Sequence, residues 1–535
     1  MSAATIPSPS KSHGVGPWIV AVAVVIPTFM EVLDTTIANV ALRYIAGGLS
    51  APVTDSTWGI TSYLAANAIV LPISGWLSKR LGRRNYFLGS IAVFTIASGL
   101  CGMASSLDAL ILYRVLQGLA GGGLQPSSQA ILLDAFPPEK HGTAMTLFGI
   151  AALLAPVVGP ALGGYITDNY GWEWIFYLNV PVGIVALLFC RAVVVDPDYL
   201  KVEREELRRR PRPFDGIGLG LLAIAMTCWE IALSKGQEWD WLGDPFWRVQ
   251  TLLGLFAVCI VCLIVRELRL SDPLINFRTL ADRNFCSCTI IIFCAYGVLY
   301  ANTTSLPALL QTLFGYDATT SGLVLSPAGL FAVVMLFFVG ILLSRGTDAR
   351  YLMIAGLVTL GAGNYWISQL SLDVGPWHIV WPRVVLIAGL SMLFAPLNVA
   401  AFKNISVEMR GAAVGLLALL RNEGGSVGTS VAETIQKRRL QLHTLRLNEH
   451  LDSFNQNVAD SLRQGHDFFL QRFGDDPQSH SLALGVVAKL RDRHALSLAY
   501  FDVFWVSAVV AVALVPLVML MKPAKAEKGA HIAAE

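Results

Sequence analysis

Apolar residues along this chain come in blocks of about 20, the length at which a helix crosses a bilayer. Fourteen such blocks can be read. They begin near Trp18, Trp58, Tyr86, Ala109, Thr143 and Trp174, then near Asp215 and Phe246, then near Asn284, Thr319, Tyr351, Ile379, Gly411 and Phe501. The block from Asp215 is the weakest, because Glu230 interrupts it. Short polar loops join the blocks, except between Gln436 and Tyr500, where the chain is polar and charged throughout. Leu440, Leu442, Leu445 and Leu447 alternate with polar residues there, and Phe468, Phe469 and Leu470 cluster later. That stretch is too long for a simple connector and predicts short amphipathic helices. It either docks a partner or covers one mouth of the protein as a self-folded cap.

The short loops give the chain a direction. Lys79, Arg80, Arg83 and Arg84 follow the second block, Lys201, Arg204, Arg208, Arg209, Arg210 and Arg212 the sixth, and Arg266, Arg269, Arg278 and Arg283 the eighth. The alternate loops hold Asp108, Asp168, Glu173, Glu238, Asp240 and Asp317 instead. The positive-inside rule then puts both termini in the cytoplasm and the long loop outside. The polar N-terminal stretch lacks a short apolar core with a small-residue cleavage site, so the first block reads as an uncleaved signal anchor.

The sequence also repeats itself. Gly75-Trp76-Leu77-Ser78-Lys79-Arg80 closes the second block, Gly340-Ile341-Leu342-Leu343-Ser344-Arg345 closes the tenth, and Tyr86 and Tyr351 keep the register. Parallel halves around a midplane site are a known transporter plan. The expected organisation is a tail (1–16), a six-helix half (17–194), a cytoplasmic linker (195–214), an inserted two-helix hairpin (215–268), a second six-helix half (284–521) that contains the outer loop (436–500), and a second tail (522–535).

Composition agrees with a membrane chain. Hydrophobic residues make up 54% and charged residues 14%, against about 25% charged in soluble domains. Net charge of +2 and the lack of a long basic block give no reason to invoke nucleic acid. The eight cysteines all lie in or beside apolar blocks. Cys259/Cys262 and Cys286/Cys288 have no histidine near them, so they read as small membrane residues and no metal is expected. No phosphate-binding glycine loop is present. A membrane-embedded enzyme would need a catalytic cluster inside the spans, whereas the histidines fall mostly in loops.

The candidate chemistry lies in intramembrane polar residues. Asp34 sits inside the first apolar block, and charge at that depth is retained mainly for function. The alternative is a shallow Asp34 that caps a helix. Glu31 lies three residues earlier on the same face, and two carboxylates so placed repel when both are charged, which suits loading and releasing protons. Glu31 could instead meet a cationic substrate or sit at the interface. Arg114 lies well inside the fourth block with Gln117 one turn on, and it needs a carboxylate or carbonyl partner unless it snorkels to the interface. Glu230 and Glu423 are further buried acids; Arg421 and Glu423 are two residues apart and so point to different faces. Candidates for lining a cavity are Gln125, Tyr296, Asn302, Gln311, Asn364 and Asn398, although single polar residues in spans more often hold helices together.

Three strings carry a resemblance. Gly75-Trp76-Leu77-Ser78-Lys79-Arg80-Leu81-Gly82-Arg83-Arg84 resembles the loop motif of the major facilitator superfamily, with one departure: Lys79 stands where the family has an acid. Leu112-Tyr113-Arg114-Val115-Leu116-Gln117-Gly118 resembles its proton-transfer motif. Ala155-Pro156-Val157-Val158-Gly159-Pro160-Ala161-Leu162-Gly163-Gly164 is similar to the antiporter motif of drug:proton exchangers, with Gly159 and Gly163 spaced for close helix contact. Trp172 to Pro181 and Arg421 to Ser430 are also typical. Over residues 17–521 the chain resembles the fourteen-span drug:proton antiporters of the EmrB/QacA type, nearest the EmrB-type members. The resemblance implies an all-α membrane protein of fourteen transmembrane helices. It implies proton-driven efflux of amphipathic drugs across a bacterial inner membrane, with no cofactor. It also implies an EmrA-type periplasmic adaptor and an outer-membrane channel as partners in a tripartite pump. Export of one defined metabolite is the alternative within transport.

Overall fold

A backbone in hydrocarbon must satisfy its hydrogen bonds within its own segment, so apolar blocks of this length can only become helices. The computed structural model describes residues 16–137, 141–197, 200, 204–205, 215–270, 273–405, 407–451 and 455–523, and every regular element among them is helical. Residues 1–15 of the expected tail 1–16 and residues 524–535 of the expected tail 522–535 lie outside the described residues, as do Lys201, Arg208, Arg209, Arg210 and Arg212 of the linker.

The main helices in chain order are α1 (Pro17–Gly48), α2 (Trp58–Leu81), α3 (Arg83–Gly102), α4 (Leu107–Gly121), α5 (Leu124–Ala135), α6 (His141–Tyr170) and α7 (Asn179–Val193). They continue with α8 (Gly216–Lys235), α9 (Arg248–Arg269), α10 (Arg283–Thr312), α11 (Pro327–Ser344), α12 (Ala349–Ser368) and α13 (Trp377–Phe402). The last three are α14 (Val407–Asn448), α15 (Gln456–Phe473) and α16 (Asp476–Ala513). Polar residues just ahead of the apolar runs start several of these helices. The side chains of Ser106, Asp215, Asp282 and Asp348 accept from the backbone N–H groups of Ala109, Gly218, Phe285 and Arg350, which would otherwise be orphaned.

Ten of the described helices are long and apolar enough to cross a bilayer, or up to eleven if a bent pair counts as one span. The bent pair is α6, which turns by 41° between Ala144–Pro156 and Val158–Tyr170. Pro156 and Pro160 remove backbone donors there. The fourteen expected spans are thus not all matched by that measure, and the shortfall has visible causes. The expected fourth span is divided at Gly122-Gly123 into α4 and α5, each too short alone. α12 carries Arg350 and Asn364, and α14 carries Arg421, Asn422 and Glu423 before turning fully polar.

In the polar stretch after Gln436, α15 is an amphipathic helix of the expected kind, but the flanking helices differ from expectation. α14 runs unbroken to Asn448, and the last helix starts at Asp476 rather than near Phe501. Residues 431–448 contain neither Gly nor Pro, and Pro477 stands at a helix N-terminus, where it is tolerated. Side-chain pairs then hold the extension: Lys437 to Glu433 at 2.7 Å, His443 to Asp502 at 2.8 Å and Arg491 to Asn448 at 2.9 Å. The alternating leucines mimic a strand period, but chain continuity and side-chain pairing make a helical hairpin. α15 folds back on α16 at Gly465, whose missing side chain makes room for Ala483.

α2 packs against α14, and α6 packs against α11 and the short helix Ala318–Leu325. α8 of the hairpin lies on α2, while α9 turns Leu255, Val258, Val261 and Val265 outward. The sequence repeat has a backbone counterpart, since Gly82 and Gly346 follow α2 and α11 with φ of 89° and 86°. α10 and α14 approach closely, since a side chain on Gly428 would collide with the Gly297 backbone and one on Gly424 with Phe293.

Gly428→Val should therefore destabilise the bundle by roughly 1–3 kcal/mol or more, as overpacking does. Gly254→Val, on the outer face of α9 with nothing near it, should leave stability unchanged. Thermal unfolding of the purified protein in detergent checks the contrast; equal midpoints for the two variants would exclude a tight α10–α14 contact.

Candidate functional site

Asp34 lies in the middle of α1 and is 3% exposed, so it caps neither end of that helix. Arg114 of α4 donates through Nη1 to Asp34 Oδ2 at 2.6 Å and to Gln117 Oε1 at 2.8 Å, and through Nε to the Gly59 carbonyl at 3.1 Å. Gln117 Nε2 returns a bond to Asp34 Oδ1 at 3.0 Å. Arg114 thus turns inward rather than snorkelling. The ring of Tyr63 lies 4.5 Å from its guanidinium carbon, and that of Phe176 5.5 Å away. A third donor to Asp34 was not assigned from sequence: Asn179 Nδ2 donates to Asp34 Oδ1 at 2.7 Å and to Ser98 Oγ at 3.0 Å. Asn179 stands inside the typical string from Trp172 to Pro181, which is the one signal that marked it. Removing one partner of such a buried pair costs about 3–5 kcal/mol, because the other charge stays desolvated.

The glycines of the fourth and fifth blocks explain how these side chains reach one another. A side chain on Gly118 would strike the Tyr63 carbonyl, and one on Gly121 the Tyr63 hydroxyl. α4 therefore lies directly on α2. In the same way Gly159 of α6 leaves no room beyond Thr36, and Gly163 presses on Ile37. The bent helix that carries Pro156, Gly159, Pro160, Gly163 and Gly164 thus touches α1 within one turn of Asp34.

Glu31 has a separate set of partners. Tyr63 Oη and Asn67 Nδ2 each donate to its Oε1 at 3.2 Å, and Gln125 Nε2 donates to its Oε2 at 2.5 Å. Gln125 in turn accepts from Arg421 of α14. An amide therefore stands between a carboxyl on α1 and a guanidinium on α14. Tyr63 belongs to both groups, since its hydroxyl serves Glu31 and its ring faces Arg114. Val32, Gln125, Ala152, Tyr296, Tyr300, Arg421 and Asn422 line a central cavity beside this layer.

The other candidates go elsewhere. Glu230 of α8 and Glu423 of α14 face each other, with Ser426 and Trp229 beside them, away from the Asp34 group. Arg421 and Glu423 do point apart. Of the proposed lining residues only Gln125 and Tyr296 reach the central cavity. Asn302 donates to Asn364 at 2.9 Å, Asn398 accepts from Gln129 of α5 at 3.4 Å, and Gln311 is half-buried near the end of α10.

The loop motif is built as a clamp. Lys79 and Arg80 occupy the last turn of α2, and Arg80 lies over the Trp76 ring at 5.1 Å. Gly75 is one turn earlier in α2, and Gly82 supplies the left-handed turn. Arg83 then pairs with Asp134 at the end of α5, and the Arg84 backbone N–H donates to Asp196 at 2.7 Å. The acids of this clamp come from distant segments, which the motif alone did not reveal.

The arrangement thus holds a buried carboxylate with donors from α4 and α7 at the place where α6 packs on α1. Residues 24–429 match the Major Facilitator Superfamily family model. The chain is 35% identical to the multidrug export protein EmrB of Escherichia coli K12 over 508 residues, covering 94% of this chain and 95% of that one. It is 33% identical to the fatty acid resistance protein FarB of Neisseria gonorrhoeae, with 92% and 94% covered. Among solved structures, a bacterial homologue of the human lysosomal transporter Spinster, inward-facing and occupied, superposes with a TM-score of 0.56 at 16% identity, covering 95% of this chain and 98% of that one. At that identity the superposition speaks for the fold alone. With a family model spanning most of the chain and relatives of this length and identity, the chain belongs to the Major Facilitator Superfamily and, within it, to the EmrB type of transporter.

Proposed function

We propose that this protein is a proton-driven multidrug exporter. In this reading Asp34 carries the proton and amphipathic toxic compounds move outward through the cleft between two six-helix halves of a fourteen-span bundle. The observation that carries the reading is the buried Asp34–Arg114 pair with the α6 glycines packed one turn away. Protonating Asp34 removes its charge and loosens its hold on Arg114, which keeps Gln117 and the Gly59 carbonyl. Thr36 and Ile37 press on α6 beside this site, and α6 presses on the other half, where a side chain on Gly322 would collide with Ala161. Occupancy of one carboxyl is thereby felt at the seam between the halves. Glu31, joined through Gln125 to Arg421, crosses the same seam on the cavity side and suits contact with a cationic substrate. Glu230 and Glu423 provide a further proton site where the hairpin meets α14, because two facing carboxyls repel when both are charged and share one proton otherwise.

The remaining assignments follow the loop charges and the relatives. Both termini are cytoplasmic and the α14–α16 hairpin is periplasmic. The relatives are named as multidrug export and fatty acid resistance proteins, so we infer a carrier that uses the proton gradient and no cofactor. The hairpin exposes Leu445, Phe468, Phe473, Leu484 and Leu490, which suits docking to an EmrA-type adaptor and an outer-membrane channel in a tripartite pump.

Asp34→Asn should keep expression but abolish drug efflux driven by a pH gradient in proteoliposomes, and full efflux by that variant would sink the assignment. Arg114→Lys should impair coupling despite the conserved charge, since one ammonium cannot serve the Asp34, Gln117 and Gly59 acceptors as the planar guanidinium does. Normal pH-driven efflux with Lys would reduce Arg114 to a packing role.

The hairpin reading is tested separately. Asn448 and Arg491 already touch, so a short Gly/Ser linker in place of residues 449–490 should close the chain without disturbing the bundle. Transport in vesicles should persist, while resistance of whole cells and cross-linking to the adaptor should be lost. Cross-linking that survives the replacement would place docking elsewhere.

A further inference from the structure

The inserted hairpin displays large apolar side chains at the turn between α8 and α9. Leu242, Phe246 and Trp247 are 73%, 76% and 68% exposed there. The turn that carries them is firmly built. Asp240, Trp241 and Trp247 hold φ of 58°, 49° and 58°, a left-handed conformation that persists in such residues only where the surroundings enforce it. Buried Asp244 accepts from the backbone N–H groups of Phe246 and Arg248 at 3.1 and 2.8 Å, and from Nε and Nη2 of Arg248 at 3.1 Å each. Gln250 Nε2 donates to the carbonyls of Leu242 and Asp244 at 2.8 and 3.3 Å. The Arg248 guanidinium lies over the rings of Trp239 and Phe246. On its other side the turn is fixed to α14, where Trp241 Nε1 donates to Thr434 at 3.1 Å and Asp240 pairs with Arg438. These polar groups are engaged with one another and with α14, and three apolar tips remain at the surface.

The helix that follows indicates what covers them. α9 is the least protein-covered of the ten spans, and Leu255, Val258, Val261 and Val265 face outward along it. Its apolar run from Leu252 to Val265 measures about 21 Å at 1.5 Å per residue. The hydrocarbon core of a bilayer is about 30 Å thick. Arg266 bounds the run at one end, so the shortfall is made up at the other. Counting back from Val265 to Phe246 brings the length to about 30 Å. Arg248 and Gln250, which lie between, aim donors at the turn's own acceptors, as a segment bordering hydrocarbon requires. Tryptophan at a span end is the usual anchor at headgroup level, and such anchors relieve a span that is too short.

We infer that Leu242, Phe246 and Trp247 form an interfacial anchor, seated among the headgroups and upper acyl chains of the leaflet next to the α14–α16 hairpin. The apolar surface of α9 thereby continues over its end into the turn, and the lipid surface is the partner of the turn. Calling this leaflet the outer one rests on the orientation proposed above; the contact with lipid does not.

Nitroxide labels are placed at Leu242→Cys and Phe246→Cys of the full-length protein, with Cys262, Cys286 and Cys294, the cysteines that are not buried, changed to Ser. Each variant is reconstituted as one copy per nanodisc of phosphatidylethanolamine and phosphatidylglycerol. Power-saturation EPR compares collisions with oxygen, which concentrates among acyl chains, and with a nickel chelate, which stays in water. Val261→Cys on the outward face of α9 is the lipid reference, and Gln478→Cys, exposed on α16, is the water reference. Both turn sites should give an oxygen-to-nickel ratio severalfold above that of the Gln478 site. A ratio equal to the Gln478 value at either site would overturn the anchor. Protection that appears only when an adaptor is added, or only with two copies in a disc, would overturn it too, by assigning the surface to protein. Monodisperse elution checks the fold, and either site decides alone if the other variant fails that check. The ratio reads depth and not side, so a reversed orientation would leave it standing. Bleaching of the Gln478 label by ascorbate added outside intact spheroplasts reports the orientation separately.

Discussion

A charge pair held away from water organises the first half of this protein. Asp34 and Arg114 are both nearly inaccessible, and neither can tolerate loss of the other, because a lone ion in that environment costs several kcal/mol. The helices around them follow from that constraint. α4 approaches α2 closely enough for Arg114 to reach the Gly59 carbonyl, which requires glycine at positions 118 and 121. α6 approaches α1 closely enough to touch Thr36, which requires glycine at 159. The small residues of both motifs are therefore the geometric condition for the ion pair, and their spacing in the sequence is the visible trace of it.

The same logic explains why the site is layered. Asp34 faces a cation, and Glu31 one turn away faces neutral donors from Tyr63, Asn67 and Gln125. Tyr63 connects the layers with its two ends, hydroxyl to one and ring to the other. Gln125 connects the halves, accepting from Arg421 and donating to Glu31. A change of charge at either carboxyl reaches more than one helix through side chains already in contact, so a transporter built this way needs no long signal path.

The two halves differ in a manner that bears on function. The first holds a buried ion pair, and the second a buried arginine, Arg383, with no paired carboxylate among the described residues.

The sequence alone determined that the chain is helical and membrane-embedded, since hydrocarbon forbids other uses of such apolar blocks, and most block starts lay within about four residues of a helix start, although α5 and α15 had no expected start of their own. It singled out Asp34, Arg114 and Gln117 because charge and amide groups stand out in apolar runs. It missed Tyr63, Asn67, Asn179 and Asp134, whose residue types are unremarkable and whose role comes only from where distant helices place them. Hydropathy also misread residues 436–500, because a window average registers polarity and not backbone continuity. Which carboxyl faces which partner was decided by helix packing alone. Glu31 and Asp34 share a face yet have different neighbours, because α2 and α5 reach the one and α4 and α7 the other.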